Sequence, residues 1–325
     1  MTATAPLPVV TPPVRLSPWR RARVLTRRTL DAGLRAVPDR VVDAVHDRWI
    51  TPDGVRDARW RLPATALYYR PLPGATITVP GGRGERLAVV GSRTERVLWW
   101  FGEAGYEAAE AAWWRRLCAR AGDVLEVGAN IGYYSVVGAA ATSGAYTAVE
   151  AQPDAAAIVR RNLDLNGLHD ARVVAAAAVA DGAPDHLELA LPDQESHQTA
   201  PTGSYLRDRA EGVDDRAAGR SVTVPTTPAS ALFTGRDLVK LDIEGSEAAV
   251  LTAAREAVLA ARPVLLVEVL GGARRLHAVL ADLLEHDYRL LAPTGAGARP
   301  LSLAAATGPG HRDVLLVPGE RVGDL

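Results

Sequence analysis

Three ionisable residues alternate along Leu238-Val-Lys-Leu-Asp-Ile-Glu244. In an extended strand this spacing puts Lys240, Asp242 and Glu244 on one face and Val239, Leu241 and Ile243 on the other. A strand inside a doubly covered sheet is normally apolar on both faces, so charges there need partners or a chemical task. An acid at the C-terminal end of such a strand can accept the proton of a hydroxyl that is being converted to a nucleophile. Asp242 and Glu244 are the candidates, with Lys240 as the charge that holds them. Glu247 also stands close by, but at the start of the next helix it can equally stabilise that helix's first turn. Lys240 is the one lysine in a chain whose other 36 basic residues are arginine. A compact ammonium fits inside a packed sheet where a planar guanidinium does not.

A second constellation is Asp123-Val-Leu-Glu-Val-Gly-Ala-Asn-Ile-Gly132, an apolar strand that runs into a glycine-rich turn and a new helix. Glycine at 128 and 132 permits a sharp turn and close approach to a ligand, and the helix start offers free N–H groups. A dinucleotide-binding loop would want glycine at 128, 130 and 133, but 130 is Asn and 133 is Tyr. The loop is therefore expected to receive a ligand without a pyrophosphate. Glu150 ends the next strand, where an acid can accept two hydrogen bonds from a ribose diol. Ribose and adenosine recognition without phosphates points to S-adenosylmethionine.

The elements that must position these residues follow an alternating pattern. Strands are expected at Asp123–Val127, Tyr146–Glu150, Arg172–Ala177, Leu238–Ile243, Val264–Val269, Tyr288–Leu291 and Val314–Val317. Helices separate many of them, such as Asp154–Asn166, Ser246–Ala260 and Ala273–His286, which indicates a mostly parallel sheet covered on both faces. Four units are expected. Residues 1–60 form a lead-in and basic helical segment, and 61–115 a strand- and turn-rich part with a helix from Glu103 to Arg120. Residues 116–318 carry the cofactor domain, with a proline-rich polar insertion at 181–236 near the acceptor site, and 319–325 form a tail.

The chain has 325 residues and a net charge of −1, so no nucleic-acid partner is expected. Residues 1–60 hold 11 arginines and 6 aspartates (+5), and all seven tryptophans lie at or before Trp114. Residues 15–28 carry six arginines and no acid, a pattern suited to peripheral docking on a membrane surface or a protein, although a solvated helix is the simpler reading. One cysteine, Cys118, excludes a disulfide framework, and no run of 18 apolar residues offers a membrane span, so a cytoplasmic location is expected. His197, in the insertion, is a loop histidine within reach of a general-base reading. Trp99-Trp100 and Trp113-Trp114 are possible walls of an apolar acceptor site.

Four blocks together resemble the FkbM-type S-adenosylmethionine-dependent methyltransferases. They are Leu125-Glu-Val-Gly-Ala-Asn-Ile-Gly-Tyr-Tyr134; Val149-Glu-Ala-Gln-Pro153 with Arg161-Asn-Leu-Asp-Leu-Asn-Gly167; Asp237-Leu-Val-Lys-Leu-Asp-Ile-Glu-Gly-Ser-Glu247; and Leu265-Leu-Val-Glu268. Tyr106-Glu107 precedes them, and the resemblance spans about residues 100–318. It implies an α/β fold: a class I methyltransferase, Rossmann-like, seven-stranded sheet, mostly parallel with an antiparallel last strand, preceded by a helical and short β extension. It implies that Glu126, Gly128, Asn130, Gly132 and Glu150 bind the cofactor, and that Lys240 pairs with Glu126 or Asp242 beneath it. Asp242 and Glu268, on adjacent strands, resemble the carboxylates that hold a divalent metal in some class I O-methyltransferases; this route is the less favoured, because no third ligand is evident.

The expected activity is methyl transfer to a hydroxyl oxygen of a small molecule, a sugar or secondary metabolite. Two other readings are a cofactor-binding interaction protein without catalysis and, less favoured, a nicotinamide-dependent oxidoreductase.

Overall fold

The computed structural model describes residues 33–192, 205–206, 218–309 and 312–325. The arginine-rich stretch 15–28 and His197 lie outside the described residues. The N-terminal part holds helices α1 (Asp39–Trp49) and α2 (Arg61–Leu67), then a hairpin of β1 (Thr76–Thr78) and β2 (Arg86–Ala88), then α3 (Arg93–Phe101) and α4 (Ala108–Cys118). From there strands and helices alternate: β3 (Asp123–Val127), α5 (Tyr133–Ala141), β4 (Ala145–Val149), α6 (Pro153–Leu165) and β5 (Arg172–Val174). Strands β6 (Ala177–Val179), β7 (His186–Pro192), β8 (Tyr205–Leu206) and β9 (Ala218–Pro228) follow, then α7 (Ala229–Phe233), β10 (Leu238–Leu241), α8 (Glu247–Ala253), α9 (Arg255–Ala261) and β11 (Val264–Val269). The chain ends with α10 (Arg274–Glu285), β12 (Tyr288–Thr294), β13 (Gly297–Pro300), α11 (Leu303–Ala306) and β14 (Arg312–Pro318).

The central sheet runs β13-β12-β14-β11-β10-β3-β4-β5. Pairing is parallel from β11 through β5, and β14 is antiparallel to both β11 and β12, as expected of the last strand. The sheet has eight strands rather than seven. The added one is β13, where the chain turns at Thr294 and Gly297 and folds back on β12; Gly-Ala-Arg-Pro has no apolar alternation to announce it. The expected strand Arg172–Ala177 is also divided. β5 stops at Val174, and the chain crosses to β6, which pairs with β9 in a separate four-stranded sheet, β6-β9-β7-β8. Ala175 and Ala176 offer no branched side chain to favour the pleat at that point.

Two helix expectations also change. Ser246–Ala260 is broken at Ala254, which ends α8 and begins α9. The helix expected from Glu103 starts only at Ala108: Glu103–Gly105 is a 3-10 turn, Tyr106 is extended, and Glu107 sits at φ 45° in the left-handed region.

Strand alternation divides the core between the faces of the sheet. Val124, Leu238 and Leu266 belong to one cluster and Leu125, Val239 and Leu265 to the other. The first face is covered by the tryptophan-rich N-terminal helices. Trp49, Trp99, Trp100, Trp113 and Trp114 are all buried there, and the Trp114 indole donates to the Tyr134 carbonyl at 3.1 Å. None of Trp99, Trp100, Trp113 and Trp114 lines the main cavity, so they pack the core rather than wall an acceptor site. Cys118 is buried among them as packing. No helix among the described residues is long and apolar enough to cross a membrane.

Candidate active site

A cavity of about 620 Å³ opens at the C-terminal ends of β3, β4, β10 and β11. This is where an open α/β sheet leaves a crevice, because the chain leaves adjacent strands toward opposite faces. The glycine loop after β3 forms one side. Gly128 has φ +94°, and a Cβ there would lie 1.7 Å from the Asp242 carbonyl oxygen. Only glycine lets the loop pass this close to the end of β10, and the Asp242 N–H donates to the Val127 carbonyl at 3.0 Å. The loop and the proposed base are thus held in one piece of backbone.

Glu150 is placed just beyond β4. One carboxylate oxygen accepts the Asn130 N–H at 2.7 Å and the other the Gln152 N–H at 2.8 Å. Each oxygen keeps a lone pair for a further donor, which suits a diol. Burial pushes its pKa up to about 7, against the two N–H groups that favour the charged form. Three polar atoms of cavity-lining residues have no hydrogen-bond partner, Asn130 Oδ1, Tyr133 Oη and Ser246 Oγ. Unsatisfied groups beside a cavity of this size fit a polar ligand such as an adenosyl amino acid.

Of the residues expected to meet the cofactor, Gly128, Asn130 and Glu150 line the cavity. Glu126 and Gly132 do not. Glu126 lies 1% exposed under the floor, where it accepts hydrogen bonds from Ser135 at 2.5 Å and Tyr146 at 2.8 Å. These hydroxyls come from α5 and β4, both reach Oε2, and they satisfy an acid that the strand pattern alone leaves unexplained. Gly132 instead faces α6, where a Cβ would sit 3.1 Å from the Val159 Cα.

Lys240, Asp242, Glu244 and Glu268 also line the cavity. Strand β10 ends at Leu241, so Asp242 and Glu244 belong to the following loop rather than to the pleated face. Glu244 takes φ +53°, which ends the alternation. The Lys240 ammonium donates to Asp242 Oδ2 at 2.6 Å, one of the two pairings expected. Glu126, its register partner on β3, is the other acid of that expectation and acts on the ammonium without the direct bond. Burial opposes the charge on Lys240, but Asp242, Asp313 and Glu126 outweigh it and hold the pKa above the ordinary lysine value. The ammonium also lies 4.4 Å from the centre of the Tyr134 ring.

Glu268 hydrogen-bonds Asp242; burial, then the charges of Asp242 and Glu244, push its pKa up to about 11. Burial and the neighbouring charges thus favour the protonated form of Glu268 beside Asp242. Among the described residues no group of three or more His, Cys, Asp or Glu side chains is placed to hold a metal ion. Two carboxylates are a thin donor set for a hard divalent cation, which takes about six or more ligands. Glu247 serves the loop: one oxygen accepts the N–H of Ile243 at 2.9 Å and of Gly245 at 3.2 Å.

Three residues of this centre came from outside the strand pattern. Asp313 faces Glu268 across the β11–β14 ladder and acts on Lys240. Tyr134, two residues past Gly132, donates its hydroxyl to Glu107 at 2.8 Å. Tyr106 hydrogen-bonds Thr94, which ties the N-terminal part to the rim. An acid at the start of the last strand was the one available sign of Asp313.

This strand order, with β14 reversed between β11 and β12 and the glycine loop after β3, defines a class I methyltransferase sheet. Residues 126–290 match the methyltransferase FkbM domain, and the chain belongs to that family. Solved structures with a similar fold include the methyltransferase FkbM from Methylobacillus flagellatus KT, at 16% identity over 60% of this chain and 43% of that one, TM-score 0.35. Another is the O-methyltransferase TomG from Streptomyces achromogenes in complex with SAM, at 12% identity over 66% and 81%, TM-score 0.37. A third is the O-methyltransferase from Bacillus cereus in complex with SAH, at 14% identity over 64% and 80%, TM-score 0.34. No curated protein matches the chain.

Proposed function

We propose that the chain transfers a methyl group from S-adenosylmethionine to a hydroxyl oxygen of a small molecule, a sugar or secondary metabolite. The observation that carries this reading is Asp242, held by Lys240 at 2.6 Å and by Glu268, in the same cavity as Gly128 and Glu150. S-adenosylmethionine would supply an activated methyl on a sulfonium. Glu150 would accept the ribose hydroxyls, and the loop at Gly128 and Asn130 would receive the methionine part.

The protein's share is alignment and a place for the proton. As the acceptor oxygen bonds to the methyl carbon, the C–S pair of electrons returns to sulfur and the hydroxyl proton passes to Asp242. Lys240 orients Asp242 through the 2.6 Å contact and supplies its counter-charge. The hydrogen bond between Glu268 and Asp242 limits the rotation of that carboxylate. The arginine-rich stretch 15–28 is proposed as a docking element, and a cytoplasmic location fits the single cysteine.

The test is incubation with methyl-labelled S-adenosylmethionine and a panel of sugars and hydroxylated metabolites. Label should appear in a base-stable methyl ether, and Asp242→Asn should abolish it. Cofactor binding without transfer across the panel would instead favour an interaction protein.

A further inference from the structure

We infer that Glu107 and Tyr134 are positioning residues: Glu107 holds the Tyr134 ring against the Lys240 ammonium, and through it the segment ahead of the sheet fixes the Lys240–Asp242 pair. The inference rests on the reading of Asp242 as the proton acceptor and adds what keeps that base in place.

An ammonium on a flexible four-carbon stem does not fix its own position. Lys240 meets Asp242 at 2.6 Å, but Asp313 and Glu126 draw on the same group. Several acids around one mobile cation allow more than one pairing, and each shift of the ammonium changes the charge and orientation of Asp242. The Tyr134 ring, with its centre 4.4 Å from Nζ, adds a wall of another kind. Its face attracts the ammonium without offering a further carboxylate to compete with Asp242.

The ring is itself held from several sides. Tyr134 is 6% exposed, its carbonyl accepts the Trp114 indole at 3.1 Å and the Tyr146 hydroxyl at 3.3 Å, and Tyr133 meets the ring edge to face at 5.5 Å. These contacts fix the backbone and one flank of the ring but not its tip. The tip is tied by Glu107, whose Oε2 accepts the Tyr134 hydroxyl at 2.8 Å.

The backbone at Glu107 is a second, independent observation. It takes φ 45° and ψ 46°, a left-handed conformation uncommon for a residue with a Cβ, and it stands at the N-cap of α4 without capping it. Such a conformation persists where the surroundings hold it. Glu107 is an exposed residue, yet its carboxylate is turned to the hydroxyl of a buried tyrosine. Its neighbours anchor the turn that carries it. Tyr106 hydrogen-bonds Thr94 on α3 and lies edge to face on Tyr133 at 5.7 Å, and Glu103 accepts from Arg115 at 2.7 Å. The path from the N-terminal part to the base is thus a run of direct contacts, Glu107 to Tyr134 to Lys240 to Asp242.

The experiment exploits the single lysine. Growth on lysine labelled with carbon-13 at Cε gives the full chain one labelled side chain, whose ε-methylene adjoins Nζ and reports the Tyr134 ring face by an upfield shift in a proton–carbon correlation spectrum. In the unliganded wild-type chain the signal should lie upfield of free lysine, with two inequivalent protons. Glu107→Ala and Tyr134→Phe each break the tether and keep a ring, and both should move the signal toward free lysine. Glu107→Gln keeps an acceptor oxygen for the hydroxyl and should restore the wild-type signal. In methyl transfer to the acceptor found by the labelling panel, Glu107→Ala should lower kcat about tenfold or more with little change in KM for S-adenosylmethionine, and Glu107→Gln should recover most of it. A merely structural contact would leave the Lys240 signal of Glu107→Ala and Tyr134→Phe as in wild type, which overturns the inference. An unshifted wild-type signal overturns it too, as does a loss of transfer that Glu107→Gln fails to recover. Absence of transfer by the wild-type chain would sink the methyl-transfer reading and the inference with it, and is told apart because the Lys240 signal is recorded before any donor or acceptor is added.

Discussion

Lys240 Nζ lies 2.6 Å from Asp242 Oδ2, and the only lysine of the chain is thereby the floor of its cavity. Asp313, Glu126 and the Tyr134 ring surround the same ammonium. The site is thus assembled around one buried cation, contributed by a strand between β3 and β11. Lys240→Met would leave Asp242 without its counter-charge and should destabilise the protein by about 3–5 kcal/mol. Lys240→Arg keeps the charge but asks a packed strand to hold a wider group, and should cost about 1–3 kcal/mol. Urea denaturation of both variants reads the order; a Lys240→Met protein as stable as wild type would contradict it.

Gly128 makes a sharper claim, because two independent constraints meet there. Its φ of +94° disfavours any side chain, and an added Cβ would fall 1.7 Å from the Asp242 carbonyl oxygen. Gly128→Ala must therefore push the glycine loop away from the end of β10. S-adenosylmethionine binding should fall at least about a hundredfold by calorimetry, as loss of placement in a preorganised site predicts. Wild-type affinity in this variant would mean that the loop does not receive the donor.

Within the N-terminal part, Arg115 ties helix α4 to the β1–β2 hairpin and to the Glu103–Gly105 turn. Its guanidinium donates to Glu85 and Glu103, each at 2.7 Å, and all three side chains are nearly withdrawn from water. Arg115→Leu removes the one cation between two acids and should lower stability by about 3–5 kcal/mol. Arg115→Lys, a point charge in place of a fork, should recover part of that loss. A thermal melt within a degree of wild type for Arg115→Leu would show that the clip is dispensable.

The glycine loop, Glu150 and the acid run after β10 were legible in the sequence because each is local: a turn chemistry, a strand end, a short motif. The alternation of apolar strands with helices likewise gave the parallel core of the sheet. What was not legible depends on contacts between distant segments. Glu126 reads as a ligand-facing acid, yet Ser135 and Tyr146 both donate to its Oε2 beneath the cavity floor. Asp313 and Glu107 act on Lys240 from segments far apart in the chain, and no spacing rule links them. β13 carries no apolar alternation, and Gly297–Pro300 is held as a strand by its pairing with β12. The division of labour between Ser246 and Glu247 is also tertiary, because either residue could have stabilised the start of α8.

Glu150 gives the site a pH dependence whose sign can be worked out. Burial raises its pKa to about 7 in the unliganded protein, so near neutrality it is partly protonated. Ribose hydroxyls donate to the carboxylate and favour its charged form, so donor binding must expel that proton. Affinity should be level well above pH 7 and weaken as the pH falls through 7, approaching about tenfold per pH unit for one linked proton. Asp313 and Glu247 are also raised to about 7, and Glu150→Gln separates them from Glu150. The variant should bind more weakly at high pH and lose most of the slope below 7. If Glu150→Gln keeps the wild-type slope, the linked proton belongs to another group and Glu150 does not hold the ribose.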